Sequence, residues 1–116
     1  MRRGDVVVID WPFSSGAGTK ARPAVVVQND RDNQRMTNTI VAMVSSRISR
    51  ATEPTQFLID VATAEGKQTG LHRTSVINCA NLFTLPQSKV IQTIGALSGA
   101  LRQKLDACLK AALELP

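Results

Sequence analysis

A mainly β fold with one C-terminal α-helix is what this sequence predicts, on three observations. Short apolar runs rich in Val, Ile and Thr recur between clusters of Gly, Pro, Asn, Asp and Ser, the pattern of many short strands joined by turns. Leu97, Leu101, Leu105, Leu109 and Leu113 follow one another at helical spacing. At 116 residues the chain is large enough for one modest core and too short for two, so residues 1–116 are read as a single domain. The strand pattern alone leaves a small barrel and a sandwich both open.

Residues 5–11 read as a buried strand, because Val6-Val7-Val8-Ile9 are consecutive β-branched residues and Pro12 ends the ladder. Residues 13–21 are a loop by their Gly/Ser/Ala/Thr content, long for a hairpin connection. A second strand is expected over 23–28, then a polar turn with a short helical piece over 29–38, and a third strand over 39–47. Glu53-Pro54 breaks the chain before a fourth strand over 55–61, and 63–69 reads as a polar turn around Gly66. Two more strands, 75–79 and 81–85, precede a last one over 89–96. Ser98 then caps the leucine helix, and Pro116 lies just past its end.

The composition narrows the function classes. Hydrophobic residues make up 43% of the chain, which is globular rather than disordered. The net charge is +5, and from Phe13 to Thr52 the cations Lys20, Arg22, Arg31, Arg35, Arg47 and Arg50 face only Asp30 and Asp32. A basic face suited to nucleic acid or an acidic peptide is therefore expected on the first half, with ordinary solvated charge as the alternative. One Trp, three Phe and no Tyr cannot build the aromatic platform of an RRM or cold-shock domain. Base recognition would fall to polar groups, Arg planes, Trp11 or Phe13.

Cys79 and Cys108 form no CxxC and there is one histidine, so no metal site and no cofactor are expected. Buried reduced thiols fit a cytoplasmic protein. The apolar run between Asp5 and Asp10 is too short for a signal peptide, and no stretch is long enough to span a membrane. No carboxylates are spaced for a two-metal centre; Asp30 and Asp32 are the nearest approach. Ser14-Ser15-Gly16-Ala17-Gly18 lacks the Gly-Lys-Ser/Thr of a P-loop.

Everything else is organised around Thr19-Lys20-Ala21-Arg22-Pro23-Ala24-Val25-Val26-Val27-Gln28-Asn29-Asp30, where two cations stand at the passage from loop to sheet. Pro23 fixes its own φ and pushes Arg22 towards extended backbone, which aims the guanidinium. A pre-aimed arginine suits a phosphate or a carboxylate.

Together with Arg3-Gly4-Asp5-Val6-Val7-Val8-Ile9 and Leu82-Phe83-Thr84-Leu85, the Arg22-Pro23-Ala24-Val25-Val26-Val27-Gln28-Asn29-Asp30 part of this block resembles the MazF/PemK family of toxin-antitoxin endoribonucleases over nearly the whole chain. The resemblance implies a small SH3-like barrel, shared with the CcdB gyrase poisons, followed by the α-helix. It implies a metal-independent, sequence-selective cut in single-stranded RNA, and a homodimer. It also implies a cognate antitoxin whose acidic, disordered segment covers the groove, with DNA bound only through the antitoxin complex.

Arg22 matches the family's catalytic arginine, and can neutralise charge that builds on a phosphate. Ser45 falls where the family places a threonine or serine at the end of the third strand; strand alternation would put the adjacent Ser46 on the other face. Lys20, Arg47 and Arg50 are candidate RNA-binding cations, and Asn81 a candidate base reader. His72, the one side chain whose unperturbed pKa is near neutral, is a further RNA-facing candidate, with a solvated loop histidine as the alternative.

The chain departs from one branch of the family, which carries an Arg and an Asp where this sequence has Asn78 and Ala80. The Gly-Ser-Glu-Gln common ahead of the Arg-Pro block is replaced by Ser15-Gly16-Ala17-Gly18. A CcdB-like poison that binds a topoisomerase, and a catalytically inactive RNA- or antitoxin-binding barrel, are the rival readings.

Overall fold

The computed structural model describes residues 1–11 and 20–116. Six antiparallel strands, β1 (Asp5–Trp11), β2 (Lys20–Val26), β3 (Asn38–Ser45), β4 (Gln56–Ile59), β5 (Ser75–Pro86) and β6 (Val90–Ala96), form one sheet in the order β4-β5-β3-β2-β1-β6. Short helices α1 (Asp30–Arg35) and α2 (Ala64–Gln68) sit in connections, and α3 (Gly99–Leu113) ends the chain. The expected mainly β fold with a terminal helix is borne out. Among the described residues β4 and β6 are the end strands and do not pair with each other, so the barrel is an open sheet rather than a closed ladder.

Alternation along β1 sends Val6 to one face and Val7 and Ile9 to the other, and both faces are buried. On the first face Val6, Val25, Ala42 and Ile77 pack under Leu101 and Leu105 of α3. On the second, Val7, Ile9, Ala24, Val26, Val41 and Met43 form their own cluster, joined by Trp11, Phe83 and Leu85.

β5 reaches both faces because it bends. Ala42 pairs with Leu82 but Met43 pairs with Asn78, so Cys79, Ala80 and Asn81 are extra residues on β5. An odd insertion inverts the pleat. Ile77 and Cys79 therefore face the helix, whereas Phe83 and Leu85 face the other core. The Asn78 side chain holds the bend by accepting the Ala80 N–H at 2.9 Å. The two strands expected over 75–79 and 81–85 are thus one bent strand.

Other boundaries move for tertiary reasons. Pairing with β1 starts β2 at Lys20 instead of residue 23. The expected polar turn over 63–69 contains α2, capped by the Thr63 hydroxyl, which accepts the Gly66 N–H at 2.9 Å. Ser98 caps α3 as expected, accepting the Leu101 N–H at 3.2 Å. A repeat of four overshoots the 3.6-residue turn, so the leucine stripe drifts, and Leu113 ends 55% exposed.

Candidate functional site

Arg22 lies within β2, opposite Ile9, and Lys20 lies opposite Trp11. On the other side of β2 the ladder to β3 stops at Ala24–Met43. Pro23 has no N–H to offer a neighbouring strand, which accounts for the pairing ending there. Beyond it the two strands carry Arg22 and Ser45 without rungs between them.

Pleat parity decides which way these side chains point. Ala24 and Val26 of β2, and Val41 and Met43 of β3, share one buried face. Arg22 and Ser45 are on the same parity, and so is Asn78, which pairs with Met43. The apolar core thus becomes polar at one end of the sheet, in an open groove of about 670 Å³.

Lys20, Arg22, Ser45, Arg47, His72 and Asn81 all line this groove, so the structure gathers six of the seven site residues expected from the sequence. Arg50 is the exception. It ends a 3₁₀ turn over Ile48–Arg50, exposed and outside the lining. Ser46 also lines the groove, contrary to strict alternation, because β3 ends at Ser45 and the chain bends after it. The Ser45 Oγ accepts the Arg47 N–H at 3.1 Å, which fixes the bend and leaves the hydroxyl hydrogen to donate.

The groove is electropositive. Lys20, Arg22, Arg47 and Arg73 line it, and no carboxylate does among the described residues. None of the four side chains makes an ion pair among the described residues. Sequence reasoning missed Arg73 and the groove-facing position of Asn78. The available signals were the neighbour of the one histidine and the bend in what read as two strands. Phe13, the proposed alternative to Trp11, and the Ser15–Gly18 departure lie outside the described residues.

Trp11 belongs to the groove and to a second, apolar cavity of about 170 Å³ with Ile9, Phe83 and Leu85. Its ring meets Phe83 edge to face at 4.5 Å and 80°. Lys89 and Asp10, 4.0 Å apart, stand at its rim.

Among the described residues no three His, Cys, Asp or Glu side chains gather as metal ligands. Both cysteines are free and buried in the core between the sheet and α3, Cys79 on β5 and Cys108 on the helix. Burial, and then the neighbouring Cys108, push the Cys79 thiol up to about 12, with Arg3 pulling weakly the other way. Burial also raises Cys108. No helix among the described residues is long and apolar enough to cross a membrane.

The chain matches, over residues 2–113, the profile of a family described as the PemK-like, MazF-like toxin of type II toxin-antitoxin system. It is 31% identical over 116 residues to the endoribonuclease EndoA of Bacillus subtilis, covering 99% of this chain and 96% of that protein. Its fold is similar to that of an endoribonuclease in complex with its cognate antitoxin from a mycobacterial species. The TM-score is 0.81 at 23% identity, over 100% of this chain and 97% of that one. A MazE–MazF structure from Deinococcus radiodurans aligns with a TM-score of 0.73 at 18% identity, over 100% of this chain and 98% of that one.

Proposed function

Because the chain belongs to the PemK-like, MazF-like toxin family of type II toxin-antitoxin systems, we propose that it is a sequence-selective endoribonuclease that cuts single-stranded RNA in the Arg22 groove. The observation that carries this reading is the placement of Arg22 and Ser45 on one face of the sheet. There the β2–β3 ladder has ended, in a groove with four cations and no carboxylate among its described lining residues.

The chemistry follows from what those side chains can do. Arginine holds its charge at any working pH and is a poor base, so Arg22 serves as an electrostatic clamp on the scissile phosphate. The nucleophile is the substrate's own 2′-OH, already next to the phosphorus, so that alignment supplies much of the rate. Its oxygen bonds to phosphorus as the bond to the 5′ oxygen breaks. The 2′-OH proton is lost to solvent or a groove base, and the leaving oxygen takes one up. Arg22 and the Ser45 hydroxyl stabilise the charge on the phosphorane between. The products are a 2′,3′-cyclic phosphate and a 5′-hydroxyl, and no step calls for a metal ligand.

The mycobacterial and Deinococcus relatives were solved with antitoxin. For this chain the corresponding partner is an antitoxin whose acidic, disordered segment lies over the groove cations and competes with RNA, with DNA bound only through that complex. The toxin works as a homodimer in the cytoplasm, one self-complementary patch joining its two copies.

Cleavage of a short single-stranded RNA containing the cut motif, with and without EDTA, tests the reaction. Mapping RNA 5′ ends after a brief pulse of expression identifies that motif. The expected outcome is equal cleavage in EDTA, cyclic phosphate ends, and no cleavage when the 2′-OH at the cut is replaced by hydrogen. Loss of activity in EDTA, or cleavage of the 2′-deoxy substrate at the same rate, overturns the mechanism.

A further inference from the structure

We infer that Arg73 forms a second phosphate subsite, on the opposite flank of Ser45 from Arg22, which holds the RNA backbone at a linkage next to the one cut. This rests on the endoribonuclease reading and adds to it a positioning residue for the substrate.

Arg73 is carried by a turn that is built rather than slack. Gly70 has φ +73 and lies so close to Ile94 that an added Cβ would meet the Ile94 carbonyl oxygen at 2.1 Å. Beside it, Thr69 is wholly buried, donating its hydroxyl to the Gly66 carbonyl at 2.5 Å and accepting the Leu71 N–H at 3.3 Å. After Arg73, the Thr74 hydroxyl accepts the Val61 N–H at 3.3 Å, and the Ser75 hydroxyl donates to the Arg73 carbonyl at 2.8 Å. These bonds fix the backbone on both sides of Arg73, while its side chain is exposed, lines the groove and makes no ion pair among the described residues.

Sheet order sets where that cation stands. β3 lies between β2 and β5, with Ser45 paired to Val76 of β5. Arg22 therefore flanks Ser45 from one side, and Arg73, just before β5, flanks it from the other. Two strand spacings separate those flanks, roughly 10 Å, so the two guanidinium groups suit successive phosphates better than a single one. A rigidly mounted arginine facing an anionic polymer gives a bidentate phosphate contact. Such a contact fixes register without reading sequence.

The test uses an RNA made uncleavable by a 2′-deoxy substitution at the cut, with binding measured across salt concentrations. Arg73→Gln should weaken binding on the order of tenfold at low salt, as expected for the loss of one exposed charge-assisted phosphate contact. It should also lower the salt slope by about one. With cleavable RNA, KM should rise by a similar factor while kcat stays within about twofold. Arg73→Lys should keep the slope. A methylphosphonate at one linkage beside the cut should weaken the wild type and have no further effect on Arg73→Gln.

An unchanged slope and KM in Arg73→Gln, or a fall in kcat at unchanged KM, overturns the subsite. The variant's melting temperature should match the wild type, since the exposed side chain makes no ion pair among the described residues. If the wild type itself neither binds nor cuts RNA, the endoribonuclease reading falls, and this subsite with it.

Discussion

Arg22 stands two residues beyond the last rung between β2 and β3, where continuing the Ala24–Met43 register would set it opposite Ser45. The backbone stays extended and paired to β1 through Ile9, so the arginine is held on one side and open on the other. This is how a guanidinium is kept in place with no carboxylate beside it among the described residues. The position is fixed by the ladder to β1, and the charge is left for a ligand.

Truncating that side chain should remove charge stabilisation and little else. Arg22→Ala is expected to lower kcat a hundredfold or more, the scale on which losing one oxyanion donor acts, with melting unchanged. Arg22→Lys should recover only a small part, because a point charge does not reproduce the planar fork. Single-turnover cleavage of saturated RNA measures both; a lysine variant at wild-type rate would show that charge alone suffices.

Ser45 and Ser46 both line the groove, but only Ser45 shares the pleat face of Arg22 and has its oxygen tied to the Arg47 N–H. Ser45→Ala should therefore lower kcat roughly tenfold or more, through one lost hydrogen bond in the transition state and a looser Arg47 bend. Ser46→Ala should change kcat by less than about threefold. Equal losses would mean that the bend, rather than the strand face, sets the donor.

How much of this was legible in the chain depends on the range of the interaction concerned. β1, the capped helix and Arg22 carry local signals, namely β-branched runs, a serine before a leucine repeat, and a proline fixing its neighbour. The bend at Cys79–Asn81 shows only as a gap at Ala80 between two expected strands, and nothing local in it foretells that the pleat inverts. It exists because β5 must serve two cores, and that is a relation to β3 and α3 across distant sequence.

The motifs that carried the family resemblance also divide on inspection. Arg3 donates from its Nε to the Val27 carbonyl at 3.0 Å and pairs with Asp106 at 2.6 Å, tying the start of β1 to the end of β2 and to α3. Gln28, Asn33 of α1 and Thr39 of β3 form a buried hydrogen-bonded knot. These are scaffold roles. Arg22 alone among the motif residues faces the groove with a charge to offer, and Arg73, which shares that property, belongs to none of the quoted motifs.

The electropositive groove also sets an expectation for control. An acidic antitoxin segment should compete with RNA for Lys20, Arg22 and Arg47, and its affinity should fall steadily as salt rises, because exposed charges are screened over a Debye length of about 8 Å at physiological ionic strength. Titrating a synthetic acidic segment against the toxin at several salt concentrations, with RNA as competitor, measures this. Binding that ignores salt and is lost on changing the exposed face of α3 would place the antitoxin elsewhere.

Cys79 gives the protein an alkaline limit. In the folded state burial, aided by Cys108, holds its thiol protonated to about pH 12, while in the unfolded chain a thiol ionises at roughly pH 8.5. Below that lower value both states keep the proton and the group leaves stability unchanged with pH. Above it the unfolded state sheds a proton that the native state retains, so each further step in pH favours unfolding until the folded thiol also ionises. Cys108, raised by burial as well, acts in the same direction. The melting temperature should therefore fall from about pH 9 upward, and Cys79→Ala, though less stable at neutral pH, should fall less steeply. Thermal melts of both proteins between neutrality and about pH 11 decide it, and parallel curves would mean that the buried thiol does not set the limit.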